Sequence, residues 1–206
     1  MNILIHPTYF PTVAHFVAIA NADTVTFEAV DNFQKQTFRN RMYIYGANGK
    51  LLLNIPVKHN KEKQKTLYKD IEIENVENWQ KQHWRSIVSA YKSSPFFEYY
   101  EDDLKDIFTT PHTSLYNLNV KIFNILCNCI EVETSILYTD TFSSLTSHSD
   151  FRHLVNSKKE TPVQLEEYTQ VFCDKYGYLN NLSILDLLFN EGPNTLNYLE
   201  SQAKFW

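Results

Sequence analysis

Ile3-Leu4-Ile5-His6-Pro7, then Pro11 through Ala22, then Thr24-Val25-Thr26-Phe27-Glu28 is the stretch that decides the fold. The first piece is a short apolar run stopped by His6-Pro7 and reads as a buried strand. In the second, Val13, Phe16, Val17 and Ala20 recur at helical spacing behind Pro11, a residue suited to a first turn. The third is rich in β-branched and aromatic residues and reads as another strand. Strand, helix and strand in so short a span predict a βαβ unit, and so a parallel pair. The loop His6 to Phe10 then sits at the C-terminal end of the first strand, where open α/β sheets bind ligands.

Downstream, Arg41 to Gly46 and Lys50 to Val57 flank Ala47-Asn48-Gly49, a hairpin signal. Ile71 to Glu74 alternates and predicts a strand. Apolar spacing predicts helices over Glu77–Lys92, Phe96–Phe108 and Ser114–Ile130, and Glu131 to Tyr138 reads as a strand. Pro162 to Tyr176 predicts a helix closed by Gly177, and Ser183 to Phe189 a short one closed by Gly192-Pro193. The expected fold class is α/β, with a βαβ start, a mixed sheet that includes the hairpin, and a mostly helical C-terminal half. The expected division is an α/β core over 1–138 that holds the ligand site, a mobile loop or linker over 139–161, and a helical segment over 162–206 packed on the core.

Composition narrows the function. The 206 residues are 43% hydrophobic and 21% charged, those of an ordinary globular chain. There are only 4 glycines, and no GxGxxG or Walker motif. A bound phosphate would have to be held by side chains or a helix N-terminus. The net charge of −5 is unevenly spread: between 31 and 69, nine Lys/Arg face only Asp31 and Glu62, whereas 70–206 is strongly acidic. A local basic segment in an acidic chain suits an anionic small molecule better than a nucleic-acid duplex. Lys61, Lys63, Lys65 and Lys69 read more simply as a solvated run. Cys127, Cys129 and Cys173 are odd in number and read as free thiols. No basic leader precedes an apolar run, and no run approaches about 18 apolar residues, so the expectation is a cytoplasmic chain without a membrane span.

Asn32-Phe33-Gln34-Lys35-Gln36-Thr37-Phe38-Arg39-Asn40-Arg41 packs cations, amides and aromatics together, a mixture that suits a pocket for a polar anion. Arg39 and Arg41, two apart on an extended segment, would share a face and form a fork for a diphosphate, or else pair with acids elsewhere. Gln34, Lys35 and Asn40 would add contacts. His6 reads as a phosphate or carboxylate ligand or a general base, or as a core histidine bonded to a carbonyl. Lys58 and His59 could neutralise a leaving group and move a proton, or simply solvate a strand end. His83, beside Trp79 and Trp84, could be a positioned acid or base, with Trp84 against a sugar ring, or a core residue among aromatics. No zinc-site spacing and no GxSxG elbow is present, and His148 and His153 are too sparse for a metal. No cofactor is indicated, and nothing specifies the oligomeric state.

The motifs His6-Pro7-x-Tyr9-Phe10-Pro11, His15-Phe16, Phe33-Gln34-Lys35, Phe38-Arg39-Asn40-Arg41, Ile55-Pro56-Val57-Lys58, Trp79-Gln80-Lys81-Gln82-His83-Trp84, Ser94-Pro95-Phe96 and Leu115-x-x-Leu118-Asn119 occur in an order and spacing that resembles the WbqC-like family of bacterial proteins. The likeness covers about the first two-thirds of the chain. Ala14-His15 stands where many members carry Gly-Tyr, and the usual C-terminal ending is replaced by Asp186 to Pro193. The resemblance implies a setting among O-antigen and other surface-polysaccharide genes, and a transferase moving an aminoacyl or acyl group to a nucleotide-activated amino sugar, with a nucleotide sugar as the anionic ligand. On that reading His6, His59 and His83 would be catalytic, and Tyr9, Gln34, Lys35, Arg39, Asn40, Arg41, Lys58 and Trp84 would bind substrate. Two alternatives stand beside it. One is a nucleotidyltransferase-like enzyme, from the loop-helix start between Ile5 and His15. The other is a non-catalytic module that partners a glycosyltransferase.

Overall fold

The computed structural model describes residues 1–58, 65–142, 149–158 and 163–205. His59, Lys61, Lys63, His148 and Pro162 therefore lie outside the described residues.

The βαβ start forms as the pattern requires. Strand β1 (Asn2–Ile5) pairs in parallel with β2 (Thr24–Phe27), joined by helix α1 (Val13–Ala20). Thr12 caps α1, its hydroxyl accepting from the His15 amide. Every α1 residue from Val13 to Ile19 is buried, so the helix lies inside the molecule and not on a face. Its first turn is held from the far end of the chain: Val13 N–H donates to the Leu182 carbonyl at 3.0 Å and Ala14 N–H to Asn181 Oδ1 at 3.0 Å. These bonds satisfy donors that a helix start leaves free.

Two more parallel strands complete the sheet. β5 (Ser135–Tyr138) adds to β2, and β6 (Ser149–Asp150) adds to the other side of β1, giving the order β5-β2-β1-β6. β6 arises within the 139–161 stretch. The chain runs outward from β1 through β2 to β5 and then returns to the far side of β1. The reversal in strand order therefore falls between β1 and β6.

The chain is α/β, with a helical second half, and two expectations about its sheets are corrected. The hairpin β3 (Arg41–Gly46) and β4 (Gly49–Asn54) forms around Gly49, which takes φ +98°. It is a two-stranded sheet of its own and does not join the parallel one. Ile71 to Glu74 makes no strand: the alternation is real, with Ile71 and Ile73 buried, but each side meets only an isolated bridge, Val57 with Ile73 and Glu72 with Ser114.

Helices α2 (Trp79–Tyr91), α3 (Phe97–Thr109) and α4 (Leu115–Ile130) follow the expected spans, with Ser114 capping α4 and Glu131 ending it in the left-handed region. The helix expected up to Tyr176 is a correction: only α5 (Cys173–Tyr176) is helical. Residues 163–172 form a strap in which Val163, Leu165, Tyr168 and Gln170 turn inward. The Gln170 amide bonds Leu179 in both directions, at 3.0 and 2.8 Å, and so replaces a backbone partner. The strap is anchored on α6 (Ile184–Glu191) through Asp186, which accepts from Tyr91 at 2.8 Å, Tyr168 at 2.7 Å and Gln170 at 2.8 Å. Helix α7 (Thr195–Ser201) packs against α1. No helix among the described residues is long and apolar enough to cross a membrane.

Candidate functional site

The C-terminal end of β1 carries His6, and the turn 37–40 brings Arg39 to it. Arg39 Nη2 lies 2.9 Å from His6 Nε2 and 2.8 Å from Asp31 Oδ2. A guanidinium only donates, so His6 Nε2 accepts and Nδ1 carries the ring proton. That Nδ1 is buried and has no partner. Behind Arg39 stands Tyr68, whose ring centroid is 5.3 Å from the guanidinium carbon. Its hydroxyl donates to the Pro7 carbonyl at 2.7 Å and accepts from Asn119. Asn119 also donates to the Arg39 carbonyl at 2.7 Å, so α4 fixes both the loop after β1 and the turn at Arg39.

His15 enters from the first turn of α1. Its Nδ1 is 2.9 Å from Thr12 Oγ1. With that hydroxyl donating, the proton sits on Nε2, which is also buried and unpartnered. Thr8 Oγ1 and Arg39 Nε complete a set of four buried polar atoms with no partner on this loop, this helix start and this turn. Each such atom costs about 1–3 kcal/mol when left unbonded. Nearly all buried polar groups find partners, so four together mark a place built for one. All four can donate, which is the chemistry of an anion site.

The electrostatics keep both imidazoles neutral. Burial, and then the neighbouring His6 and His153, push His15 down to about 3. Burial also lowers His6, assisted by the Arg39 charge and opposed by Asp31. Partial burial would raise the Asp31 carboxyl, but His6 and Arg39 outweigh it and hold it below the usual range. The arrangement is thus a neutral His6 beside an ionised Asp31–Arg39 pair.

Two segments close over these side chains. Phe38 N–H donates to the Val155 carbonyl at 2.9 Å, Thr37 bridges Asn156, and Ser157 Oγ donates to the Gln36 carbonyl at 2.6 Å. The Phe38 ring meets His15 edge-on, with centroids 5.9 Å apart. His6 is 4% exposed, His15 1% and Arg39 0%, so a ligand reaches them only when the two segments part.

The other residues singled out from the sequence are placed elsewhere. Tyr9 is buried, and its hydroxyl meets His83 Nδ1 at 2.8 Å. Burial lowers His83 to about 4, opposed by the nearby Asn54 backbone. It stands as a core histidine under Trp79, with centroids 5.3 Å apart. Trp84 stacks on Phe108 at 5.3 Å, facing core and not crevice. Lys58 is exposed and pairs with Glu72 at 2.8 Å. Gln34 is exposed, while Lys35, Asn40 and Arg41 line a separate groove beside the end of β4. Arg39 and Arg41 do not share a face, because residue 39 belongs to a turn and residue 41 begins β3.

The sequence reading passed over Asp31, Thr8 and His15 as site residues. Thr12-x-x-His15 at a helix start was the available signal, since capping at that spacing brings a hydroxyl to an imidazole. Burial raises Cys127 to about 12 and Cys129 to about 11, so neither thiol is a thiolate at neutral pH. Among the described residues no group of three or more His, Cys, Asp or Glu is arranged to hold a metal ion.

The family model described as the WbqC-like protein family matches residues 6–164. A Mycobacterium tuberculosis (strain ATCC 25618 / H37Rv) protein named "Uncharacterized protein Rv1507c" is 23% identical over 231 residues, across 95% of this chain and 96% of that protein. No solved structure matches the chain.

Proposed function

The chain belongs to the WbqC-like protein family, and we propose that it is a transferase that holds the phosphates of a nucleotide sugar in the crevice between β1 and β6. The observation that carries this reading is the set of unpartnered donors on His6, Thr8, His15 and Arg39. Each is a donor from which an oxyanion can accept. The position agrees, at the C-terminal end of a parallel sheet where strand order reverses. The basic stretch between 31 and 69 supplies the favourable field.

Aminoacyl or acyl transfer to the amino sugar, within surface-polysaccharide synthesis, is the chemistry the family resemblance supports. Buried Cys127 and Cys129 offer no thiolate for it at neutral pH. A specific observation favours a second reading, nucleotidyl transfer. His15 sits one turn into the helix that follows β1, hydrogen-bonded to its capping Thr12, where it can donate to a phosphate at the reaction centre.

A thermal-shift screen tests both. Ligand at a hundredfold excess over its dissociation constant stabilises by about 2.7 kcal/mol. For a chain of this size that raises the melting temperature by about 5–11 °C. A shift with UDP-N-acetylglucosamine but not with ATP or CTP supports the first reading, and the reverse supports the second. No shift with any of them overturns the nucleotide site.

A further inference from the structure

We infer that the groove between Phe33 and Val57 is a second, independent binding site, for a small hydroxylated acid no larger than one sugar ring. Its walls are Phe33 and Pro56, and its polar lining is Lys35, Asn40, Arg41 and Asn54. The volume is about 290 Å³. Ligand pockets span about 300–1,000 Å³, so this one is at the small end and admits one ring and its substituents, not a nucleotide.

Three observations specify the ligand's chemistry. The first is charge. Among the described residues Arg41 makes no ion pair, and its Nε is buried without a partner. Lys35 stands exposed on the same groove, and among the described residues no carboxylate lines it. A guanidinium left without a counter-ion in a partly buried wall is matched by a carboxylate or a phosphate, which it can grip with two parallel bonds. The second is an acceptor. Asn40 is 6% exposed, and its Nδ2 donates to Asn54 Oδ1 at 3.1 Å and to the Ile55 carbonyl at 2.9 Å. Both partners accept, so the amide cannot be reversed, and Oδ1 is left as a buried acceptor without a donor. A hydroxyl on the ligand supplies that donor. The third is shape, since the apolar faces of Phe33 and Pro56 suit the C–H side of a ring. Anion, hydroxyl and ring together describe a sugar phosphate or a sugar acid.

The site is independent of the crevice reading. Arg39 turns inward to His6 and Asp31, and Arg41 turns to the groove on the outer side of the same turn.

Calorimetric titration with glucose 6-phosphate, glucuronate and glucose tests the inference on the full chain, with Arg41→Gln, Arg41→Lys and His15→Gln beside the unaltered protein. At least one acid should bind saturably, with glucose about tenfold or more weaker. Arg41→Gln should weaken that acid about tenfold or more, because a hydrogen bond to a charged group is lost. Arg41→Lys should recover part of the loss, and His15→Gln should leave affinity unchanged. The acid that binds tells the phosphate source from the carboxylate source. Melting curves establish that each variant is folded, and Lys35→Gln provides a second, exposed variant if Arg41→Gln is not. The inference is overturned if neither acid saturates the unaltered protein up to about 10 mM. It is also overturned if Arg41→Gln and Lys35→Gln bind as the unaltered protein does, or if His15→Gln weakens the acid as much as Arg41→Gln does.

Discussion

Acidification from pH 7 to pH 5 should remove about 4 kcal/mol of stability through two buried histidines. In the unfolded chain His15 and His83 titrate near 6.5, whereas burial holds them at about 3 and about 4 in the folded protein. Between those limits the unfolded state binds protons that the folded state refuses, so stability is full above 6.5 and falls as pH drops toward the folded values. One pKa unit corresponds to about 1.4 kcal/mol. By pH 5 each histidine has lost nearly one and a half units of it, or about 2 kcal/mol. His6 and His112, also depressed first by burial, act in the same direction. The assay is guanidinium denaturation at both pH values. With a slope of about 4 kcal/mol per molar, the midpoint should fall by about 1 M. His15→Gln should recover roughly half of the drop. An unchanged midpoint at pH 5, or a full drop retained in His15→Gln, would refute the claim that these imidazoles are buried and neutral.

Other outcomes follow from the fold. Asp186→Ala should cost about 3–5 kcal/mol, because Tyr91, Tyr168 and Gln170 lose a shared buried acceptor; a fall in melting temperature of under about 3 °C would show that the strap is anchored otherwise. Gly192→Ala should destabilise by about 2–4 kcal/mol, since φ is +53° and the new Cβ would come 2.5 Å from the Phe96 ring; a melting curve like that of the parent would sink this. Lys58→Met should leave both stability and any nucleotide-sugar shift unchanged, because that side chain is exposed and paired with Glu72; a lost ligand shift would return Lys58 to the site.

Much of the fold was legible because its pattern is local. Ile3-Leu4-Ile5, the spacing of Val13, Phe16 and Val17, and the run to Phe27 each fix an element without help from distant chain. The strap over 163–172 was not legible as such, because its conformation is set by Asp186 and Leu179, which lie later in the sequence. The same holds for the site. His6 and the basic segment stood out by type and position. That Arg39 and Arg41 diverge depends on a turn at 38–40 which spacing does not reveal. His83 looked like a candidate acid or base, yet it is buried in the core and its Nδ1 is taken by the Tyr9 hydroxyl. Asp31 became visible only when folding brought it to Arg39.

The central claim is that the donors at the end of β1 hold phosphate, and calorimetric titration of UDP-N-acetylglucosamine into the unaltered protein and His15→Gln tests it most directly. His15→Gln should weaken binding about tenfold or more, because a hydrogen bond to a charged group is lost. Equal affinity in the two proteins would contradict the assignment of the site.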